Sequence, residues 1–138
     1  SYLWNETLAL YLQRTGKGIR QVSYSAGTFV FVSNVEEFKD LSVPIIGFGG
    51  EDLVNLGFKE IISSLLQKEE INYHDFIIKQ IPELTLEGEL RRAFVEVKDL
   101  KIGMLENDEL NPGKKKVTLT FSLGKGSYAT MVVRALFG

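Results

Sequence analysis

The 138 residues, 44% hydrophobic and 25% charged, are enough to bury one sizeable core. With no Cys in the chain, disulfides and thiolate metal sites are excluded, and no apolar run approaches the roughly 20 residues of a membrane-spanning helix. The formal charge of −2 excludes a surface that is basic throughout, so any attraction to nucleic-acid phosphate has to come from local groups.

A soluble, cytoplasmic chain is the expectation, since no basic-then-apolar signal peptide opens it. At the start, Trp4, Leu8, Tyr11 and Leu12, flanked by Leu3 and Leu10, form one broad helical face over residues 1–15. Gly16 and Gly18 end it. Arg20 to Ser25 and Thr28 to Ser33 are extended runs joined through Ala26 and Gly27, which predicts a β-hairpin with Phe29 and Phe31 in the sheet core. Asn34 with Glu37 three residues on has the form of a capping box, predicting a short helix over Val35 to Leu41.

Pro44 forces an extended chain, and Gly47, Gly49 and Gly50 follow as a sharp loop that lacks the pattern of a nucleotide-binding loop. Leu53, Val54, Phe58, Ile61, Ile62, Leu65 and Leu66 repeat at helical spacing, so an amphipathic helix is predicted from Asp52 or Asn55 to about Gln67, weakest at Gly57. Asn72 caps a second short helix through about Gln80, with Asp75 near its positive end and Pro82 as its stop. The single His, His74, has no Cys, second His or spaced carboxylates for company and is expected at the surface, with no metal site. From Gly88 the pattern turns alternating or β-branched, predicting strands over Arg92 to Val97, Lys101 to Leu105 and Lys116 to Phe121. The loop before the last strand holds Glu106 to Glu109 and Asn111-Pro112-Gly113. The fold class is therefore α+β, mixed helices with a β-hairpin and a mainly antiparallel sheet.

The stretch from Lys116 to Arg134 reads as strand, glycine turn, helix. Gly124 and Gly126 leave room for a tight turn, Ser127 can cap the helix, and Tyr128 stands at the mouth of the turn. Free amides at a helix N-terminus favour phosphate, Lys125 adds charge, and a rigid aromatic beside them can stack on a base. No Ser-His-Asp, Cys-His or metal spacing occurs, and none of the 18 acidic residues is marked out by a motif. Arg14, Lys17, Arg20, Arg91, Arg92 and the run Lys114-Lys115-Lys116 are the local cations available to RNA.

Lys125-Gly126-Ser127-Tyr128-Ala129-Thr130, followed by Val133-Arg134, resembles the C-terminal signature of the TruD family of tRNA pseudouridine synthases, Gly-Ser-Tyr/Phe-Ala-Thr with a hydrophobic pair and Arg. Ser1-Tyr2-Leu3-Trp4-Asn5 is similar to the end of that family's Ala-Tyr-Gln-Ser-Tyr-Leu-Phe/Trp-Asn helix. Val43-Pro44-Ile45-Ile46-Gly47-Phe48-Gly49 resembles its Leu-Pro-Leu-hydrophobic-Gly-Tyr segment, and Gly88 with Arg91 and Arg92 is a looser match. Order and approximate spacing agree across essentially the whole chain.

The resemblance implies the C-terminal part of a longer enzyme, with residues 1–103 belonging to the family's inserted domain and 104–138 supplying the last strands and helix of a split catalytic domain. The family's Lys-Asp-Lys segment, which carries the nucleophilic Asp, and its Asn-x-Phe-Gly segment do not occur in these residues. No catalytic residue is therefore expected here, and the chain alone is expected to be inactive. The implied reaction isomerises a uridine of tRNA, at the thirteenth position in the family, without cofactor or metal. The Asp attacks, the N1-glycosidic bond breaks, the held base rotates and C5 joins C1′. Tyr128, Ser127, Gly126 and Lys125 are the implied substrate-binding residues, Tyr128 foremost, with Gly126 and Ser127 also shaping the turn, while Thr130 and Arg134 support the helix. The partners implied are tRNA and the preceding part of the same protein. The alternative is a stand-alone RNA-binding or scaffold domain without the chemistry.

Overall fold

The computed structural model describes residues 2–47, 56–76 and 89–138, which pack as two units, 1–94 and 95–138. Gly49, Gly50, Pro82, Gly88, the helical start before Leu56 and the stretch from 77 to Gln80 lie outside the described residues.

The first unit is built on two helices. Helix α1 (Tyr2–Thr15) turns Ala9 and Leu12 inward, and Gly16 N donates to Leu12 O at its end. Its one buried polar group, the Thr7 hydroxyl, donates back to Leu3 O at 2.7 Å, which meets the rule that a buried donor needs a partner. Helix α2 (Leu56–Lys68) buries Phe58, Ile61, Ile62, Leu65 and Leu66, the face its apolar spacing predicts. Phe58, Ile62 and Leu66 pack with Val43 and Ile46, and Tyr11 of α1 reaches them with its ring 4.5 Å from that of Phe58. A second cluster joins Ala9 and Leu12 to Val30, Val32 and Phe38.

The hairpin is present as strands β1 (Arg20–Tyr24) and β2 (Gly27–Phe31), antiparallel, with Val22 opposite Phe29 and Gln21 opposite Val30. Opposed residues share a face and alternate along the strand. Val30 faces α1, whereas Arg20, Val22, Tyr24, Phe29 and Phe31 share the other face. Phe29 and Phe31 are thus half-buried on the side away from the α1 cluster and are not the sheet core that their composition predicts. Strand β3 (Ser42–Ile45) pairs with β4 (Glu89–Arg92), and Trp4 Nε1 donates to Val43 O at 3.1 Å.

Two local predictions divide. Asn72 does begin a turn, its Oδ1 accepting from His74 N at 2.9 Å while Asp75 Oδ2 accepts from Asn72 N at 2.7 Å; the element described is the single 3-10 turn Tyr73–Phe76. The capping box at Asn34 does not form. Asn34 Oδ1 is taken by the Lys17 amide at 2.8 Å, and a 3-10 turn over Val35–Phe38 replaces the helix to Leu41.

In the second unit β5 (Lys98–Ile102) pairs antiparallel with β8 (Leu119–Ser122), and β6 (Glu106–Asn107) with β7 (Lys115–Lys116). The strand predicted over Arg92 to Val97 is displaced to Glu89–Arg92 by its pairing with Ser42–Ile45, and that over Lys101 to Leu105 to Lys98–Ile102. The third breaks into β7 and β8 because its two ends have different partners. Two residues of β5, Asp99 and Leu100, stand against Phe121 alone, a bulge in which Asp99 takes φ 53°. Helix α3 (Ala129–Phe137) closes the unit. No described helix is long and apolar enough to cross a membrane.

Candidate functional site

Strand β8 alternates half-buried Leu119 and Phe121 with exposed Thr120 and Ser122, and so arrives at the turn with a fixed orientation. Ser127 N then donates to Gly124 O at 3.2 Å, closing a four-residue turn whose third residue, Gly126, has φ 84°. A positive φ at that position is what a type II turn demands. Gly124 meets no such demand, and a Cβ on either glycine would touch nothing within 4 Å. The requirement at Gly126 is therefore one of backbone conformation and not of space. Gly126→Ala is expected to cost about 1–2 kcal/mol, the strain of an L side chain in the left-handed region. Exchange of the Ser127 amide, followed by NMR, should quicken by roughly five- to thirty-fold and stay unchanged in Gly124→Ala; equal effects would show that the turn does not depend on Gly126.

Ser127 does not cap the helix. Tyr128 holds the extended N-cap conformation (φ −109°, ψ 118°) without a side-chain capping bond, and α3 begins at Ala129. The cap falls one residue later than predicted because the Ser127 backbone is occupied in closing the turn. The consequence is to place the Tyr128 ring at the boundary between turn and helix, 63% exposed. Lys125 is exposed beside it and Ser127 half-buried. The four predicted site residues are thus consecutive on one strand-turn-helix connection: a flat aromatic surface, a cation, and the positive end of a nine-residue helix. That combination can face a base and an anion together.

Most of the other predicted cations are engaged within the protein. Arg14 pairs with Glu60, Lys17 with Glu37 and Arg92 with Asp40, all at exposed positions. Arg20 lies over Phe31 and Arg91 over Trp4, 5.0 and 5.5 Å from the ring centroids. In the lysine run, Lys115 donates to Asn107 and Lys116 to Glu109, whose carboxyl that bond holds below its ordinary pKa. Asp108 is likewise lowered, first by Asn111, with the Leu110 and Asn111 amides adding to it. The run is part of an internally tied hairpin. His74 is exposed, and among the described residues no group of three or more His, Asp or Glu is placed to hold a metal.

Residues 31–136 match the family model described as tRNA pseudouridine synthase D (TruD). The chain belongs to the TruD family. Relatives include a "Probable tRNA pseudouridine synthase D 1" of Methanococcus maripaludis, 36% identical over 99% of this chain and 36% of its own length. A "Probable tRNA pseudouridine synthase D 2" of Methanocaldococcus jannaschii is 35% identical over 99% of this chain and 33% of its own. The crystal structure of a Methanosarcina mazei protein described as TruD superposes with a TM-score of 0.59 at 26% identity, covering 97% of this chain and 35% of that one. The chain spans about a third of the length of the curated relatives it matches. The TruD match takes in the turn, Tyr128 and most of α3, together with the Val43 to Gly47 segment. The motif-based family assignment and the α+β class are both borne out by these likenesses.

Proposed function

We propose that this chain acts as the C-terminal part of a tRNA pseudouridine synthase, in which Tyr128 presents its ring to the uridine being isomerised. The observation that carries the reading is the display of the Gly-Ser-Tyr-Ala-Thr signature: the turn and the helix start leave Tyr128 63% exposed, on the segment by which the chain resembles the family. To be reached, a target base leaves its stack, and a detached uracil has to be retained while it rotates. A rigid aromatic face does that without hydrogen-bond geometry that the rotation would break. Lys125, Gly126 and Ser127 set the ring's position and supply a positive rim. The substrate is a tRNA, at its thirteenth position as in the family, and the work is cytoplasmic.

We assign residues 1–103 to the family's inserted domain and 104–138 to the split catalytic domain, whose remainder, with the nucleophilic Asp, belongs to the preceding part of the protein. The apolar exposure of residues 104–138 supports the need for that remainder, while the division of the packing itself falls at 94/95 and keeps β5 with β8. Met104, Leu105, Leu110, Val133, Leu136 and Phe137 are each more than two-fifths exposed, and Val132 is the sole buried hydrophobic residue of the unit. So little buried apolar area cannot hold 44 residues in place without further covering.

The experiment is to incubate the purified 138-residue chain, and separately the chain joined to its preceding part, with unmodified tRNA and map pseudouridine by sequencing. The chain alone is expected to form none, since positioned groups on one side of a base do not replace a covalent nucleophile. The joined protein is expected to modify one uridine. Turnover by the 138 residues themselves, or none by the joined protein, would overturn the reading.

A further inference from the structure

The β5–β8 ladder that leads into the Tyr128 turn has two chemically different faces. Opposed residues share a face, and its rungs are Ile102 with Leu119, Lys101 with Thr120 and Lys98 with Ser122. The bulge at Asp99 and Leu100 takes up one residue, so Lys98 returns to the face of Lys101 instead of falling on that of Ile102. Leu100, Ile102, Leu119 and Phe121 thus form an apolar face, half-buried along β8. The other face carries Lys98, Lys101, Thr120 and Ser122, each of them exposed. Gly103 and Thr118 add a further rung to it: Gly103 N donates to Thr118 O at 2.8 Å, and a Cβ on Gly103 would stand 3.6 Å from that of Thr118. None of these rungs holds a carboxylate, and the acidic residue of β5, Asp99, sits in the bulge. Lys101 has no carboxylate partner among the described residues, while Lys98 meets Glu96 at 3.7 Å with both side chains mostly exposed. An exposed pair of that kind holds its lysine weakly.

We infer that the polar face of this ladder is a track for the phosphate and sugar backbone of the RNA whose base Tyr128 receives, an interaction that rests on the tRNA reading above. Lysines and hydroxyls are the groups that hold phosphate and sugar oxygens without reading sequence. Lys and Ser are also depleted from the buried centre of protein interfaces, so a protein partner fits this face less well. The apolar face is the one that calls for covering by the preceding part of the protein, which leaves the polar face to solvent. Position completes the argument. Thr120 and Ser122 lie on the strand that delivers the turn, and Ser122 stands two residues before Gly124, so the track ends where the turn begins. Backbone contacts of this kind fix register, and here they set which uridine arrives at the ring.

The test measures tRNA affinity of the joined protein as a function of salt, beside its melting curve. Lys101→Gln removes a cation from the middle of the face and is expected to lower the log–log salt slope by about 0.7 to 0.9, the mark of one lost phosphate contact. That amounts to about five- to eight-fold in affinity near 0.1 M salt and vanishes towards about 1 M. Thr120→Lys adds a cation at the opposed position and should steepen the slope and tighten binding by a similar factor. Glu96→Gln, which releases Lys98, should tighten binding as well. All three positions are exposed, so the melting curves should not move. Parent affinity and parent slope in all three variants would overturn the track and leave the Tyr128 reading standing. Lowered melting curves in Lys101→Gln and Thr120→Lys at an unchanged slope would give the face to a protein contact and overturn the track too. Absence of any tRNA binding by the unaltered protein would overturn the track and the tRNA reading together.

Discussion

Replacing Tyr128 by alanine in the joined protein is expected to slow pseudouridine formation by roughly ten- to hundred-fold, while Tyr128→Phe leaves the rate nearly intact. The first figure follows from the worth of one base-aromatic contact, about 1–3 kcal/mol, at about 1.4 kcal/mol per decade of rate. The second follows from what the ring is for. If the face retains the uracil, losing the hydroxyl costs little, and the family's motif takes Phe or Tyr at this position. If the phenol instead moved the C5 proton, Phe would be about as damaging as Ala, because such proton transfer typically contributes about a hundred-fold or more. The exposure of the ring, 63%, makes the comparison clean, since a residue with so little packing can be truncated without opening the fold. Single-turnover rates of both variants, measured beside their melting curves, distinguish the outcomes. A Phe variant as slow as the Ala variant at unchanged stability would assign the chemistry to the hydroxyl, and an Ala variant that loses stability along with rate would assign Tyr128 to packing.

The largest stability effect is expected at Phe58. It is 1% exposed, packs with Val43, Ile62 and Leu66, and has the Tyr11 ring of α1 at 4.5 Å and 33°. Phe58→Ala deletes a ring at the crossing of both helices and should cost about 3–5 kcal/mol, transfer and cavity terms together. For a unit of this size that lowers the melting temperature by roughly 12 °C or more. Lys59→Ala, one residue on and exposed, should stay within about 0.5 kcal/mol. Circular dichroism melts of the two variants check the contrast, and a loss under about 1 kcal/mol at Phe58 would mean that α1 and α2 do not share a core in solution.

The sequence disclosed some of these elements better than others, and the difference is one of range. The apolar spacing from Phe58 to Leu66 predicts α2 and its buried face, because a helix carries its own periodicity. The Asn72 turn was readable for the same reason, its donors and acceptors all lying within three residues. Asn34 has the same local pattern and fails, because the Lys17 amide, 17 residues away, takes its side chain. The first two strands after Gly88 begin three residues earlier than alternation predicts and the third splits in two, since their bounds depend on partners that alternation does not reveal. Of the site, Tyr128 and its turn were legible through the motif, whereas the capping role given to Ser127 was not correct. The stacking of the Tyr24 ring on that of Phe29 across the hairpin was missed altogether. Alternation shows that Val22 and Val30 lie on opposite faces, but only the structure shows which of them α1 covers.

The division into two separately packed units bears on how the chain responds to heat and denaturant. Residues 1–94 hold two shared clusters of buried side chains, and residues 95–138 hold Val132. Cooperative, all-or-none unfolding requires that every part of a chain be anchored in one core. With only Val132 buried in the second unit, its β5–β8 ladder and α3 are expected to open at lower cost than the core of the first unit. Amide exchange is expected to be slower in α2, whose side chains are buried, than around Tyr128.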